Sequence, residues 1–356
     1  MAGTSLEVDL NKIRENTARI VEICAPHGIE VLGVTKGFSA VPEIVSAMLA
    51  GGVERIADAR LENVELLRSE GFAQHMTLLR IPMISQADRI VRQTQCSLNS
   101  EIKTMRALSE AATAAGVTHE VVLMIDLGDL REGVVPVDAV GTIREAEKLS
   151  GIRVAGIGTN MGCYGGILPT ATNLSLLCAI ARVIEETLDR KLEVISGGGT
   201  SSIQLVKDGK MPPGVNQLRI GEGILLGTDT THQLKLDYLH QDAFLLKAEI
   251  VELKDKPSVP IGRIGRDAFG NVPQFEDLGI RRRAILALGR QDVQPEGLIP
   301  VDPGIQIMGA SSDHMILDVE ECTRELHVGD RVAFRLKYQG LLNLFTSPYI
   351  PRIFLS

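Results

Sequence analysis

Lys36 closes the apolar run VLGVT, the stretch Ser196-Gly-Gly-Gly-Thr-Ser-Ser202 follows a later one, and Arg219 precedes Gly221-Glu-Gly223. A lysine at the end of an apolar strand is either solvated at a rim or drawn into an apolar mouth. In the second setting desolvation lowers its pKa and suits the amine to Schiff-base chemistry. The glycine run lets backbone N–H groups converge on an anion, and Thr200, Ser201 and Ser202 add hydroxyl donors. A plain turn is the other reading of that run, and without GxxxxGK[ST] a nucleoside triphosphate is disfavoured. A Schiff-base amine together with a phosphate cradle points to pyridoxal phosphate (PLP) as the expected cofactor. Taken singly, Arg131 and Arg219 are ordinary salt-bridge partners.

Such residues need a scaffold that brings them together. β-prone runs at 31–35, 54–57, 76–79, 95–98, 120–125, 153–157, 192–195 and 216–220 alternate with helical patterns, among them 42–49, 60–68, 100–115, 137–149 and 172–188. Eight β-then-α units are the count expected of a (β/α)8 barrel, with an open doubly wound sheet as the alternative of equal periodicity. In a barrel, chemistry collects at the C-terminal ends of the strands. Lys36, Asp58, Arg80, Asn99, Asp126, Arg131, Thr159, Asn160, the Ser196–Ser202 loop and Arg219 all fall there. After about residue 235 helical periodicity fades, and short β-prone runs separated by Gly, Pro and Asp clusters take over. The expected division is an α/β (β/α)8 barrel over 9–235, then a C-terminal all-β domain over 236–356 that also takes in 1–8.

Composition narrows the partners. With 44% hydrophobic and 23% charged residues the 356-residue chain is globular, and its net charge of −8 argues against nucleic acid or an anionic membrane surface. The cysteines, Cys24, Cys96, Cys163, Cys178 and Cys322, are odd in number and lack CxxC spacing, so neither a disulfide framework nor a metal site is expected. The opening MAGTSLEVDLNKIRENTARI has charges every few residues and no apolar core, so a secretory signal is not expected and a cytoplasmic setting is.

GVTKG, IADARLENVELL, MIDLGDLREG, GIGTNMGCYGG, ISGGGTSS, NQLRIGEGILLG, GASSDHMILDV and SPYIPR together resemble the alanine racemase family of fold-type III PLP enzymes, in its ornithine racemase-like branch. The resemblance runs through nearly the whole chain. It implies that Lys36 carries PLP and acts as one acid/base at the substrate Cα, while Arg219 faces the pyridine nitrogen. It also implies that Thr200, Ser201 and Ser202, with the backbone at Gly221 and Glu222 and with Tyr349, hold the phosphate and that Asn160 packs on the ring. Arg131 and the pair Ser312-Asp313 would meet the substrate carboxylate. The implied activity is interconversion of L- and D-amino acids, ornithine ahead of lysine, alanine and serine, in a homodimer with shared sites.

Two departures qualify this. The family's second base is a partner-subunit tyrosine in a Gly-Tyr-Ala-Asp-Gly segment, whereas the matching stretch reads IGRIGRDAFGN; Asp267, Cys163 and Tyr164 are candidates to replace it. The tyrosine that follows the family's PLP lysine is also missing, since the chain reads Lys36-Gly-Phe-Ser. Asp129 stands where the family has an apolar residue, either to pair with the terminal ammonium of a basic substrate or to cap its own loop or pair with Arg131. A PLP-binding protein without turnover is a competing function, although such proteins lack the β domain. A PLP decarboxylase is disfavoured by the absence of its Cys-Asp-Gly motif.

Overall fold

The computed structural model describes residues 3–356. It divides into two compact units, Asn11–His240 and the residues up to Leu10 together with Gln241–Ser356. Strand β1 (Ser5–Asp9) belongs to the second of these. The first is built on β2 (Glu30–Val34), β3 (Arg55–Asp58), β4 (His75–Leu78), β5 (Cys96–Asn99), β6 (His119–Met124), β7 (Ile152–Gly158), β8 (Val194–Ser196) and β9 (Gln217–Ile220). These eight parallel strands close into a barrel, β9 pairing back onto β2 with Leu32 opposite Arg219. Closure excludes the open sheet, which periodicity alone did not.

Alternation along the strands sorts their side chains. Val121, Leu123, Ile125, Val154 and Ile157 pack outward with helix residues such as Leu174, Leu177 and Ile184. Their neighbours Leu98, Val122, Met124 and Ala155 form a separate cluster, and Leu32, Val34 and Ala57 another, which fill the barrel interior. Each large side chain so buried contributes roughly 1.5–3 kcal/mol.

The N-terminal ends of the strands carry charge instead. Arg55 meets Glu30 at 2.9 Å, and Gln217 donates to Glu30 at 3.1 Å, fastening β9 to β2. Glu120 accepts from His75 at 3.3 Å and from Arg153 at 2.5 Å, and Arg153 also pairs with Glu193. The bond from His75 chiefly holds the Glu120 carboxyl down at about 2. Conservative placement of stabilising charge at this end leaves the opposite mouth for chemistry.

A small hairpin, β10 (Thr228–Asp229) with β11 (Leu234–Lys235), follows the barrel. The other unit contributes β12 (Phe244–Pro257), β13 (Ile280–Ala287), β14 (Leu298–Pro300), β15 (Gln306–Ala310), β16 (His314–Asp318), β17 (Arg331–Leu336) and β18 (Arg352–Leu355). Its sheet runs β14-β17-β12-β13-β16-β15, and β1 lies antiparallel to β12 and parallel to β18. One helix, Tyr338–Thr346, accompanies this sheet. Its buried Leu341, Leu344 and Phe345 have the i, i+3, i+4 spacing of a helical face, a signal that the strand-rich surroundings obscured. Phe345 meets Phe244 edge-on at 5.8 Å between ring centres. Among the described residues no helix is long and apolar enough to cross a membrane.

His119, at the start of β6, is buried and bonded to the Ser97 hydroxyl at 2.8 Å; burial pushes its pKa down to about 4. An unfolded histidine titrates near 6.5, so between these values the unfolded chain binds a proton that the native state refuses. Stability should therefore be full above pH 6.5 and fall as the pH drops toward 4. At pH 5 the loss from this residue is about 2 kcal/mol relative to pH 7. Urea unfolding at both pH values should reveal that loss, and His119→Gln should flatten it. An equally steep loss in the variant would assign the effect elsewhere.

Candidate active site

The site is anchored where β2 ends. Thr35 is buried and donates to Asp58 at 2.5 Å, while Asp58 also accepts from the Arg60 amide at 2.7 Å and from Asn63 at 3.1 Å. Burial raises the Asp58 carboxyl pKa even against these bonds. The turn that begins at Lys36 is thus tied to the neighbouring strand, and Phe38, fully buried, closes it. Lys36 itself is open to solvent at the mouth, yet walls of protein surround it. That burial lowers its pKa; Cys163 opposes the shift, and the Arg131 guanidinium reinforces it. Both readings of this lysine therefore hold in part: it is reachable, and its ammonium form is destabilised.

Arg219 points inward from β9 and is 6% exposed. It donates to the Ser196 hydroxyl, to the Thr159 carbonyl at 2.7 Å and to the Asn160 side-chain oxygen at 2.6 Å. Burial pulls its pKa down to about 10, with the Glu132 carboxylate opposing, which still leaves a cation at neutral pH. Asn160 donates in turn to Glu132, and Glu132 pairs with Arg131 through both Nε and Nη2, the latter at 2.6 Å. Glu132 was missed in the sequence. An acid one residue from Arg131 in a loop gives no periodic signal, and only the fold brings it to Asn160.

The Gly-rich turn lies at the end of β8. Gly198 has φ +107°, a conformation that a side chain rarely adopts, and the turn continues into the short helical segment Thr200–Ser202. Ser202 donates to the Gly197 carbonyl at 2.7 Å, and the Thr200 hydroxyl accepts from the Gly223 amide at 3.1 Å, so the β8 and β9 loops are stitched together. The amides of Thr200, Ser201, Gly221 and Glu222 are not engaged in backbone hydrogen bonds among the described residues. They form a donor set suited to an anion. The Glu222 carboxylate turns the other way, accepting from Thr228 at 2.7 Å and from the Thr230 hydroxyl at 2.5 Å. The Glu222 carboxylate is thus engaged on the far side, away from the donor set to which its amide belongs.

The MGCYGG loop is pinned from below. Asp129 is 1% exposed, and its carboxylate accepts the amides of Cys163 at 3.3 Å, Tyr164 at 3.0 Å and Ile167 at 3.3 Å. Its oxygens brace the loop, so the geometry gives it the capping role rather than that of a partner for a substrate ammonium. Gly162, at φ +67°, packs against Thr231, whose hydroxyl donates to its carbonyl at 3.2 Å. The brace leaves Cys163 exposed and near enough for a thiolate there to act on Lys36, Arg131 and Arg219. Tyr164 is 81% exposed.

Asp267, Ser312, Asp313 and Tyr349 belong to the other unit. Asp267 is engaged in its own turn, accepting from the amides of Phe269 at 2.9 Å and Asn271 at 2.8 Å and from the Asn271 side chain at 3.3 Å. The Asn271 amide is the chief cause of its lowered pKa, an environment poorly matched to a base working near neutrality. Ser312 donates to Asp313 at 2.7 Å, and Gln291 also donates to Asp313 at 3.2 Å. Tyr349 is 72% exposed, its amide bonded to Ser347 at 3.3 Å.

Residues 8–229 match the family described as alanine racemase, N-terminal domain. Over 348 residues the chain is 42% identical to the ornithine racemase of Acetoanaerobium sticklandii, with 98% of each chain covered. Over 354 residues it is 39% identical to the lysine racemase of Thermotoga maritima, with 99% of each covered. Among solved structures, an alanine racemase of Clostridium difficile 630 shares the fold at TM-score 0.76 and 19% identity, over 100% of this chain and 96% of that one. By its sequence and its fold alike, this chain belongs to the alanine racemase family.

Proposed function

We propose that the protein is a PLP-dependent racemase of a basic amino acid, ornithine first and lysine next. The observation that carries the reading is the amine of Lys36, lowered in pKa, in the same barrel mouth as Arg219 and the open amides of the β8 and β9 loops. Those residues fit the cofactor: an amine for its aldehyde, backbone donors and the Ser201 hydroxyl for its phosphate, and a cation for its ring nitrogen. Preference for a basic substrate is supported by the names of two relatives covered almost end to end.

When bound, the cofactor's ring withdraws electrons from an attached amino acid and loosens its Cα proton. Lys36 Nζ, whose neutral form burial favours, takes or returns that proton on one face. Arg219, a cation at neutral pH, would hold the cofactor at its ring nitrogen as a donor that does not give up its proton, a setting that would limit the ring's electron withdrawal and favour proton return over other bond cleavages. Arg131 binds the substrate carboxylate. For the opposite face we favour Cys163 over Asp267, because the Asp129 brace fixes its loop at this mouth while the Asp267 carboxylate is occupied in a turn.

A homodimer with shared sites is part of the proposal, Ser312 and Asp313 of the second copy completing the substrate contacts. Support comes from 259–279, which carries no strand or helix yet exposes Ile261, Val272 and Phe275. The cytoplasm is the proposed location, consistent with five free cysteines.

Borohydride treatment of PLP-loaded protein should attach a pyridoxyl group to Lys36, read by peptide mass, and Lys36→Ala should lose both label and racemisation. Label without any loss of optical rotation from L-ornithine would instead indicate a cofactor-binding protein without turnover. In D2O, Cys163→Ala should still exchange the Cα proton of one ornithine enantiomer while racemisation falls by about 100-fold or more. Exchange from both enantiomers at the original rate would remove Cys163 from the mechanism. Because Asp129 braces a loop, Asp129→Ala should slow ornithine and alanine together, leaving the ratio of their kcat/KM values unchanged; a selective loss for ornithine would restore the ammonium-pairing role.

A further inference from the structure

Two guanidinium groups and an amine share this barrel mouth, and Glu132 bonds directly to Arg131 and, through Asn160, to Arg219. We propose that Glu132 is a positioning residue: it fixes Arg131 so that the remaining edge of its guanidinium meets the α-carboxylate of the substrate. The inference rests on the racemase reading and deepens it.

The bonding pattern has one consistent solution. An arginine offers only donors and a carboxylate only acceptors, so the amide of Asn160 must turn its oxygen to Arg219 and its nitrogen to Glu132. Glu132 thus sets the rotamer of Asn160 and, at its other side, grips Arg131 by Nε and Nη2 in the planar two-point fashion of guanidinium–carboxylate pairs. Among the described residues nothing bonds Nη1 of Arg131, which is the edge left for a second carboxylate.

Burial distinguishes this from a decorative surface pair. The Glu132 side chain is 17% exposed against 39% for Arg131, so the acid is the enclosed member and the arginine the one that would otherwise wander. Charge balance gives a second reason. Arg131 and Lys36 repel one another, as do Arg131 and Arg219, and Glu132 is the carboxylate acting on Arg219 against that repulsion. Without it, Arg131 would be pushed toward solvent and its carboxylate-binding edge would lose its aim.

The test compares two ligands that differ only in the group Arg131 is to bind: ornithine, and the diamine that remains when its α-carboxylate is removed. PLP-loaded wild type, Glu132→Gln and Glu132→Asp are titrated with each, following cofactor absorbance, and the ratio of the two dissociation constants is compared. In Glu132→Gln, ornithine should weaken about tenfold or more while the diamine changes by no more than about twofold. Equal weakening of both ligands, or of neither, overturns the proposal, since a merely structural residue would not discriminate between them. Should the Gln variant fail to melt cooperatively, Glu132→Asp decides. One methylene shorter, it cannot hold Arg131 and Asn160 together, so its ratio should move about threefold in the same direction, and an unmoved ratio overturns the proposal. A wild type that takes up neither PLP nor ornithine defeats the racemase reading and this inference together, whereas a competent wild type with an unshifted Glu132→Gln ratio defeats this inference alone.

Discussion

Closing eight parallel strands on themselves forces alternate side chains into a single shaft, and the chemistry of this protein is governed by what stands at its two ends. Aliphatic residues fill the middle, which is why Leu32, Val34, Ala57, Leu98, Val122 and Met124 are almost fully buried. At one end the shaft closes on compensated charge, Glu30 with Arg55 and Glu120 with His75 and Arg153. At the other it opens on two guanidinium groups, Arg131 and Arg219, against the one carboxylate paired with them, Glu132, beside the amine of Lys36, which leaves an excess of positive charge in a partly buried setting. That excess is what an anionic cofactor and a carboxylate substrate would answer.

Much of this is legible in the residues. All eight barrel strands fall within two residues or so of the runs at 31–35 through 216–220, because each short apolar run is ended by a polar residue or a glycine, which leaves little latitude. Lys36 and the Ser196–Ser202 turn declare themselves as an amine after an apolar run and glycines beside hydroxyls. Less legible are residues whose work is to hold others. Asp129 reads equally well as a substrate partner or a loop brace until the amides of Cys163, Tyr164 and Ile167 are seen on its oxygens. Glu132 is silent for the same reason: its partner Asn160 lies on a different strand loop, and no spacing rule links 132 to 160. Asp267, chosen by position in a matched motif, is engaged by its own turn.

The barrel mouth also shows how orientation is passed between side chains. Asn160 has no charge of its own, so it transmits orientation between an acid and an arginine without adding to the cation excess. Thr35 and Asp58 set the backbone before Lys36 through a carboxylate that takes four hydrogen bonds from three donors, Thr35, the Arg60 amide and Asn63. Positioning of the turn is thereby separated from the amine that it presents.

The pairing of β1 with β12 and β18 has a consequence for biosynthesis. Leu6 faces Leu246 on one side and Arg352 on the other, so a strand made early needs neighbours translated much later. At ribosomal rates that interval is on the order of tens of seconds, ample time for the intervening barrel to fold first. During it the early strand is an unpaired edge, the kind of segment that chaperones shield and that pairs with the wrong chain when crowded. Slowing translation should lengthen that exposure, and a nascent chain released before β18 should be held more readily by a chaperone than one released after it.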